Sequence, residues 1–369
     1  MLEVSKKSSF VGRSLRDDES SVIHHYAAPS ALPNYPDVRA GFLLNGDAIR
    51  RAAKKYDPVA IAAANQFVID TGYEFARWLV ENCDVVLEHS EKFCVEGRIA
   101  DPTLNKDCAV VAHEPRVCSV SERAHSNSDV HVAVKTYSGN HKTRLPVLRR
   151  TWLTNAPSFR LYSDITDDTY GTISTGVANT ERGHCAKTLV ILRLSLQRPQ
   201  PWQWLLLVDD DTLVSMPRLL KTLSCYSPEE AVVLGEMYGY RAGPHLLVPY
   251  PTGGSGIVFS RPMVELLMES SWCSCRVPDE PDDMLLGMCL HRLGHSLVHL
   301  RDLHQATPSS YAAGRLNGSN PISFHGFWMI DPVKVYKKWL VGNYEEKPHR
   351  NRIVEKVNQA TKSMNKDEL

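Results

Sequence analysis

"WQWLLLVDDDTLV", residues 202–214, decides how this chain is built. Leu205 to Val208 are continuously apolar, the pattern of a strand buried on both faces, as in a parallel sheet covered by helices. The strand runs straight into Asp209, Asp210 and Asp211. Three adjacent carboxylates repel one another, and an arbitrary acidic triplet is most often a solvated turn. Here the buried strand pins them at the rim of a sheet, where ligands of open α/β sheets bind. A hard divalent cation, Mg²⁺ or Mn²⁺, would relieve the repulsion. Such a cation, held by few protein ligands, completes its shell with phosphate oxygens, which points to a nucleoside diphosphate.

On both sides of this stretch strands alternate with helices. HVAVKTY (131–137), FRLYSD (159–164), AVVLGEMY (231–238), SGIVFS (255–260) and SLVHLRDL (296–303) read as strands. CAKTLVILRLSL (185–196), PRLLKTLSCY (217–226), RPMVELLMES (261–270) and PDDMLLGMCLHRLG (281–294) read as helices, and HKTRLPVLRRTWL (141–153) as a helix interrupted near Pro146. The alternation predicts an α/β fold with a mostly parallel sheet. Residues 1–33, charged and serine-rich without an apolar period, read as disordered. A modest globular segment follows over 34–110, a linker over 111–129, the main domain over 130–345 and a tail over 346–369.

Lysine plus arginine and aspartate plus glutamate both total 42, so no global field favours nucleic acid or an anionic membrane. No apolar run approaches the ~20 residues of a membrane span. The chain ends in Lys366-Asp367-Glu368-Leu369, the receptor-read address of soluble proteins of the endoplasmic reticulum lumen. Its start lacks the apolar core of a signal peptide, so the N-terminus is expected to be incomplete. Nine cysteines without a CxxC pair suit disulfides in that compartment; the odd count leaves one thiol over, and connectivity stays open. Asn317-Gly318-Ser319 is a glycosylation triplet of a kind common by chance.

Other stretches carry chemistry only in combination. In Pro281-Asp282-Asp283 one acid suffices to cap the helix, a role that suits Asp282, which frees Asp283 as a general base. The glycines of "TGGSG" (252–256) make a turn or admit a ligand close to the backbone. His325 and His304 each read as a core histidine or as a missing metal ligand. Phe327 and Trp328 stack on a sugar or pack in the core, the commoner fate. Lys135 and Lys187 neutralise phosphate or lie on the surface.

In order, "VAVKTY", "RRTWL", "LYSD", "ANTERGHCAKT", "VDDDTL", "LGEMYGY", "TGGSGIVFS", "PDDMLLGMC", "LHQA" and "FHGFW" resemble the Fringe-like members of glycosyltransferase family 31. The likeness spans roughly residues 34–345 and is nearest to the branch that extends O-linked fucose with glucose on thrombospondin type 1 repeats. The resemblance implies a GT-A (Rossmann-like) fold, UDP-glucose as donor, Mn²⁺ (or Mg²⁺), and inversion at the anomeric carbon. It assigns Asp209 and Asp211 to the metal, with His325 completing the shell or His304 in its place, and Asp283 as catalytic base. Lys135, Asp164, Lys187, Asp209, Asp210, Gly253 and Gly254 fall at donor-pocket positions. The implied partners are fucosylated thrombospondin repeats, a UDP-sugar and the retention receptor. Alternatives are an N-acetylglucosaminyl or galactosyl transferase on the same scaffold, or a catalytically inert lumenal binding protein.

Finally, "YPDVRAGFLLNGDAIRRAAKKY" (35–56) shares its layout with "YPTGGSGIVFSRPMVELLMESS" (250–271). This predicts that the segment from residue 34 is a truncated, degenerate copy of a similar fold. It lacks an acid triplet, exposes a sheet edge, and sets Asp70 opposite Asp283.

Overall fold

The computed structural model describes residues 9–28, 31–64, 66–95, 107–112, 126–156, 158–243, 245–316 and 319–341. Its first strands, β1 (Phe10–Gly12) and β2 (Ser14–Leu15), lie in the segment expected to be disordered. They are followed by β3 (Tyr35–Pro36), β4 (Phe42–Leu44), helices α1 (Gly46–Lys55) and α2 (Pro58–Ala64), and β5 (Phe67–Val68). Then come α3 (Thr71–Cys83), β6 (Leu87–His89), and the paired β7 (Phe93–Val95) and β8 (Val110–Ala112). β1 lies antiparallel to β4 and parallel to β6, while β2 pairs with β3. Phe10 is fully buried, Ile23 joins the main core, and the His24 imidazole sits between the carboxylates of Asp17 and Asp70. Residues 9–28 are therefore ordered, which corrects the sequence reading. Their partners lie far along the chain, so no local apolar period marks them. The expected boundary at 110 runs through β8. The rest of the linker at 113–125, Cys118, Asn317 and Gly318 of the glycosylation triplet, and the C-terminal tail lie outside the described residues.

The main domain is built on β9 (Val130–Lys135), α4 (Leu145–Arg150), β10 (Phe159–Ser163), β11 (Thr172–Ser174), α5 (Cys185–Leu196) and β12 (Trp204–Asp209). It continues through β13 (Thr212–Val214), α6 (Met216–Leu223), β14 (Val233–Gly235), β15 (Met237–Gly243), β16 (Leu246–Pro251) and β17 (Ile257–Ser260). α7 (Arg261–Glu269), α8 (Asp282–Leu293), β18 (Val298–His299), α9 (Ala313–Leu316) and β19 (Ser323–His325) close it. The seven-stranded sheet has the order β11-β10-β9-β12-β17-β14-β18, parallel except for β17, which is antiparallel to both neighbours. The apolar run of β12 faces two cores: Trp204, Leu206 and Val208 join one, Leu205 and Leu207 the other. Burying each such leucine stabilises the fold by roughly 1.5–3 kcal/mol. The α/β class is as the sequence implies.

Local readings shift in detail. Pro146 does not interrupt a helix; it lies in the first turn of α4, where no intrahelical N–H is needed. Residues 231–238 break at Glu236, with β14 in the main sheet and β15 in a separate sheet ordered β16-β15-β5. Through β5 the N-terminal unit thus extends a hairpin of the main domain. Cys94–Cys108, Cys185–Cys275 and Cys273–Cys289 form disulfides, Cys225 is also bonded, and Cys83 is a buried free thiol.

The N-terminal unit repeats a set of contacts found in the main domain. β1 between β4 and β6 has the strand directions of β14 between β17 and β18. Gly12 stands opposite His89, whose Nδ1 accepts from Ser14 N at 3.1 Å; Gly235 stands opposite His299, whose Nδ1 accepts from Met237 N at 3.0 Å. Asn45 caps α1 through Ala48 N as Ser260 caps α7 through Met263 N. The backbone N–H of Asp37 donates to Arg13 O, and that of Thr252 to Glu236 O. Counting back eleven residues from the left-handed C-caps Asp84 and Gly294 sets Tyr73, not Asp70, opposite Asp283. Asp70 instead caps α3 through Gly72 N and Tyr73 N and pairs with Arg315 at 3.0 Å. β4 is an edge of its sheet, with Phe42 and Leu43 exposed.

Candidate active site

β9 and β12 run parallel with Lys135 beside Asp209, so one ammonium and one carboxylate leave the sheet together. Lys135 Nζ lies 3.1 Å from Asp209 Oδ1 and 2.7 Å from Asp282 Oδ2 on α8. Asp210 turns inward: it accepts from Thr136 Oγ1 at 2.6 Å, Asn140 Nδ2 at 3.0 Å and Arg144 Nη1 at 2.7 Å. Arg144 also lies 3.0 Å from Asp211 Oδ2. The repulsion within the triplet is therefore relieved first by protein cations, none of which is near it in sequence. Asp210 is held by these donors and does not join the other two acids as a ligand, though it still lines the cavity beside them.

His325 reaches the rim because β13 pairs antiparallel with β19, Thr212 opposite His325. Its Nε2 lies 3.1 Å from Asp211 Oδ1 and 3.9 Å from Asp209 Oδ2. Ligand atoms of Asp209, Asp211 and His325 all fall within 4.8 Å of one another. Nδ1 faces Gln305 O at 2.9 Å; since a carbonyl only accepts, Nδ1 carries the proton and Nε2 is left to bind an ion. Gly254 makes room for the ring, because a Cβ there would stand 2.5 Å from the imidazole. Gly253 lies beside the acids, where a Cβ would be 4.0 Å from Asp209 Oδ2. Burial lowers the His325 pKa, but the Asp211 hydrogen bond and charge outweigh it and raise it to about 9. A divalent ion would take the place of that proton, so this donor set fits a metal.

His304 does not belong to this group. It is 2% exposed and stacks on Phe324 at 4.8 Å, and among the described residues neither ring nitrogen has a hydrogen-bond partner. Burial holds its pKa well below the ordinary value, so it is a neutral core histidine. Trp328 is exposed, whereas Phe327 packs against the core.

A cavity of 450 Å³ opens beside the acids, lined by Lys135, Asn140, Arg144, Asn179, His184, Lys187, Asp209, Asp211 and His325 among others. Lys187 is buried and donates to Thr136 O at 3.1 Å and Asn179 Oδ1 at 2.9 Å; burial lowers its pKa. Asp164 is not part of the lining. It accepts from Ser138 N at 2.7 Å and Ser138 Oγ at 2.9 Å, shaping the turn that follows β9. Sequence reasoning missed Arg144 and His184. Arg144 gives no local signal, while His184 could have been found from its place immediately before α5.

At the head of α8 the two acids part company. Asp282 is not a cap: the N-cap is Pro281, without a side-chain bond. Asp282 Oδ2 accepts from Lys135 Nζ at 2.7 Å and Thr188 Oγ1 at 2.5 Å. Burial pushes its pKa up, but the Lys135 charge overrides this and holds it at about 2. Asp283, whose Oδ1 accepts from Met284 N at 2.7 Å, is raised to about 7 by burial and by the ionised Asp282 beside it. Two neighbouring carboxyls driven apart in this way are suited to different tasks. Asp282→Asn removes the nearer of the two carboxylate charges beside the buried Lys135 and is expected to cost about 3 kcal/mol, the scale of a broken buried pair. A urea titration measures it, and a loss near the ~1 kcal/mol of a helix cap would restore the capping role.

A cation-ready acid pair suits a sugar diphosphate, and a lone carboxyl near neutrality can activate a hydroxyl; enzymes that join these two tasks are glycosyltransferases, and this chain is one. Residues 125–350 match the Fringe-like family, and the chain belongs to it. A human β-1,3-glucosyltransferase is 39% identical over 345 residues, covering 92% of this chain and 67% of the relative. A mouse β-1,3-glucosyltransferase is 39% identical over 345 residues, 92% of this chain and 68% of its own length. The radical fringe β-1,3-N-acetylglucosaminyltransferase of Gallus gallus is 29% identical over 245 residues, 58% of this chain and 63% of its length.

Proposed function

We propose that this enzyme transfers glucose from UDP-glucose to the 3-hydroxyl of O-linked fucose on thrombospondin type 1 repeats, with inversion. The observation that carries this reading is the 39% identity to β-1,3-glucosyltransferases across 92% of the chain. The site residues agree with it. Asp209, Asp211 and His325 would hold the cation; two carboxylates with one imidazole suit Mn²⁺ better than Mg²⁺, which prefers oxygen alone. Bound there, the ion supplies Lewis-acid stabilisation of the departing diphosphate. Arg144 and Lys187 line the cavity as further cations for phosphate oxygens. Lys135 ties β12 to the head of α8 and so sets the base relative to the donor. Asp283 takes the proton of the acceptor hydroxyl as it attacks the anomeric carbon from the face opposite UDP.

The C-terminal KDEL supports a place in the endoplasmic reticulum lumen under its retention receptor; no described helix is long and apolar enough to cross a membrane. The repeated contacts around β1 and β14 support reading the N-terminal unit as a degenerate copy of the second half of the main domain. Tyr73 at the position of Asp283 would leave that copy without a base. Asp70, bound to Arg315 and the α3 backbone, is unavailable to a nucleotide.

The test is mass spectrometry of a fucosylated thrombospondin repeat incubated with Mn²⁺ and UDP-glucose, UDP-N-acetylglucosamine or UDP-galactose. A hexose added only from UDP-glucose is expected. Transfer from another donor alone would favour the N-acetylglucosaminyl or galactosyl alternative, and no transfer from any would favour an inert binding protein.

A further inference from the structure

This inference rests on reading Asp209, Asp211 and His325 as the metal site. We propose that Gln305 is a positioning residue for that site, coupling the metal histidine to the glycine loop of residues 252–256. Three of its polar groups bind three separate segments. Its carbonyl accepts the Nδ1 proton of His325 at 2.9 Å and so sets both the tautomer and the ring direction. Its side-chain Oε1 accepts from Ser255 N at 3.1 Å, inside the loop that carries Gly253 and Gly254. Its backbone N–H donates to Glu236 Oε2 at 2.6 Å.

Each partner is itself fixed. Glu236 is 3% exposed and its other oxygen faces the Tyr311 hydroxyl at 3.5 Å. Ser255 is fully buried, and its carbonyl accepts from Ser323 Oγ at 2.6 Å, two residues before His325. Gly254 O accepts from Thr212 Oγ1 at 2.8 Å, one residue after Asp211. The loop, the acid rim and the histidine strand thus close into one ring, and the Gln305 side chain is a link in it that can be cut without touching a metal ligand and whose own residue also bonds the metal histidine. Removing its oxygen leaves Ser255 N–H buried without a partner, which drives the loop to shift. Gly254 lies directly under the imidazole, so a shifted loop frees the ring to turn away from Asp211. Groups that orient metal-bound histidines typically change metal affinity by about 10–100-fold when lost.

The experiment measures Mn²⁺ affinity by electron paramagnetic resonance on the full chain with UDP present, alongside thermal melts. Gln305→Met, close in shape but without the acceptor, is expected to weaken Mn²⁺ binding about 10-fold or more. Gln305→Glu, whose carboxylate can still accept from Ser255 N–H, is expected to recover most of that loss. A folded Gln305→Met protein that binds Mn²⁺ as tightly as the wild type overturns the role, even if its melting temperature falls. Should the Met variant not fold, Gln305→Asn, which draws the oxygen back from Ser255 by one methylene, carries the same expectation and the same refutation. Wild-type protein that binds no Mn²⁺ overturns the metal reading and this inference with it, whereas equal binding by wild type and variant overturns only the inference.

Discussion

Asp211→Asn is expected to lower sugar transfer on the order of 10³-fold, the scale on which a Lewis acid supplies several kcal/mol to the transition state. The change is nearly isosteric and should leave the fold standing, because Arg144 keeps its bond to Asp210 at 2.7 Å. It withdraws one of the two carboxylates proposed to hold the ion, and it removes the charge that holds the His325 imidazole at 3.1 Å. Chelation of the wild-type enzyme should reproduce the loss, and added Mn²⁺ should restore the wild type but not the variant. The readout is UDP release at saturating acceptor. Full turnover of the wild-type enzyme in EDTA would falsify the requirement for a metal.

The main sheet was legible because β12 is buried on both faces, so its apolar run could be neither a surface helix nor a half-exposed strand. The place of the acid triplet was legible for the same reason, since a strand so buried must end at a rim. Long-range pairing was not legible. Nothing near Asp209 announces Lys135 or Arg144, and the neutralisation of the triplet was therefore credited to the ion alone. Asp282 looked like a cap because acids favour helix starts, yet a lysine at the end of β9 claimed it. His325 and His304 could not be told apart in sequence, as both follow apolar residues. Pairing of β13 with β19 brings one to Asp211, while stacking on Phe324 buries the other. Residues 9–28 hid their order because β1 depends on β4 and β6, each contributed by a distant segment.

Asp283→Asn is expected to lower kcat ~10²-fold or more, the usual cost of losing a general base. UDP-glucose affinity should change little, since Asp283 is not among the residues lining the cavity beside the acid triplet. The wild-type rate should rise with pH and level off above about 7, as Asp283, pushed up to about 7 by burial and by Asp282, gives up its proton. The same shift has an opposite consequence for stability. The folded protein binds the Asp283 proton more tightly than the unfolded chain, whose carboxyl titrates near 3.8. The protonated group therefore favours folding at low pH, and that contribution falls away as pH rises from about 4 through about 7. Asparagine resembles the protonated acid at every pH. The variant should accordingly match the wild type in melting temperature at pH 4 and exceed it at pH 8 by about 3 °C or more. Catalysis and stability then oppose each other at one residue, because the ionised state needed to accept the proton is the one the fold holds least well. A variant that is slow but gains no stability at pH 8 would mean that Asp283 is already ionised at neutrality. A variant that gains stability yet keeps its kcat would show that another group takes the proton.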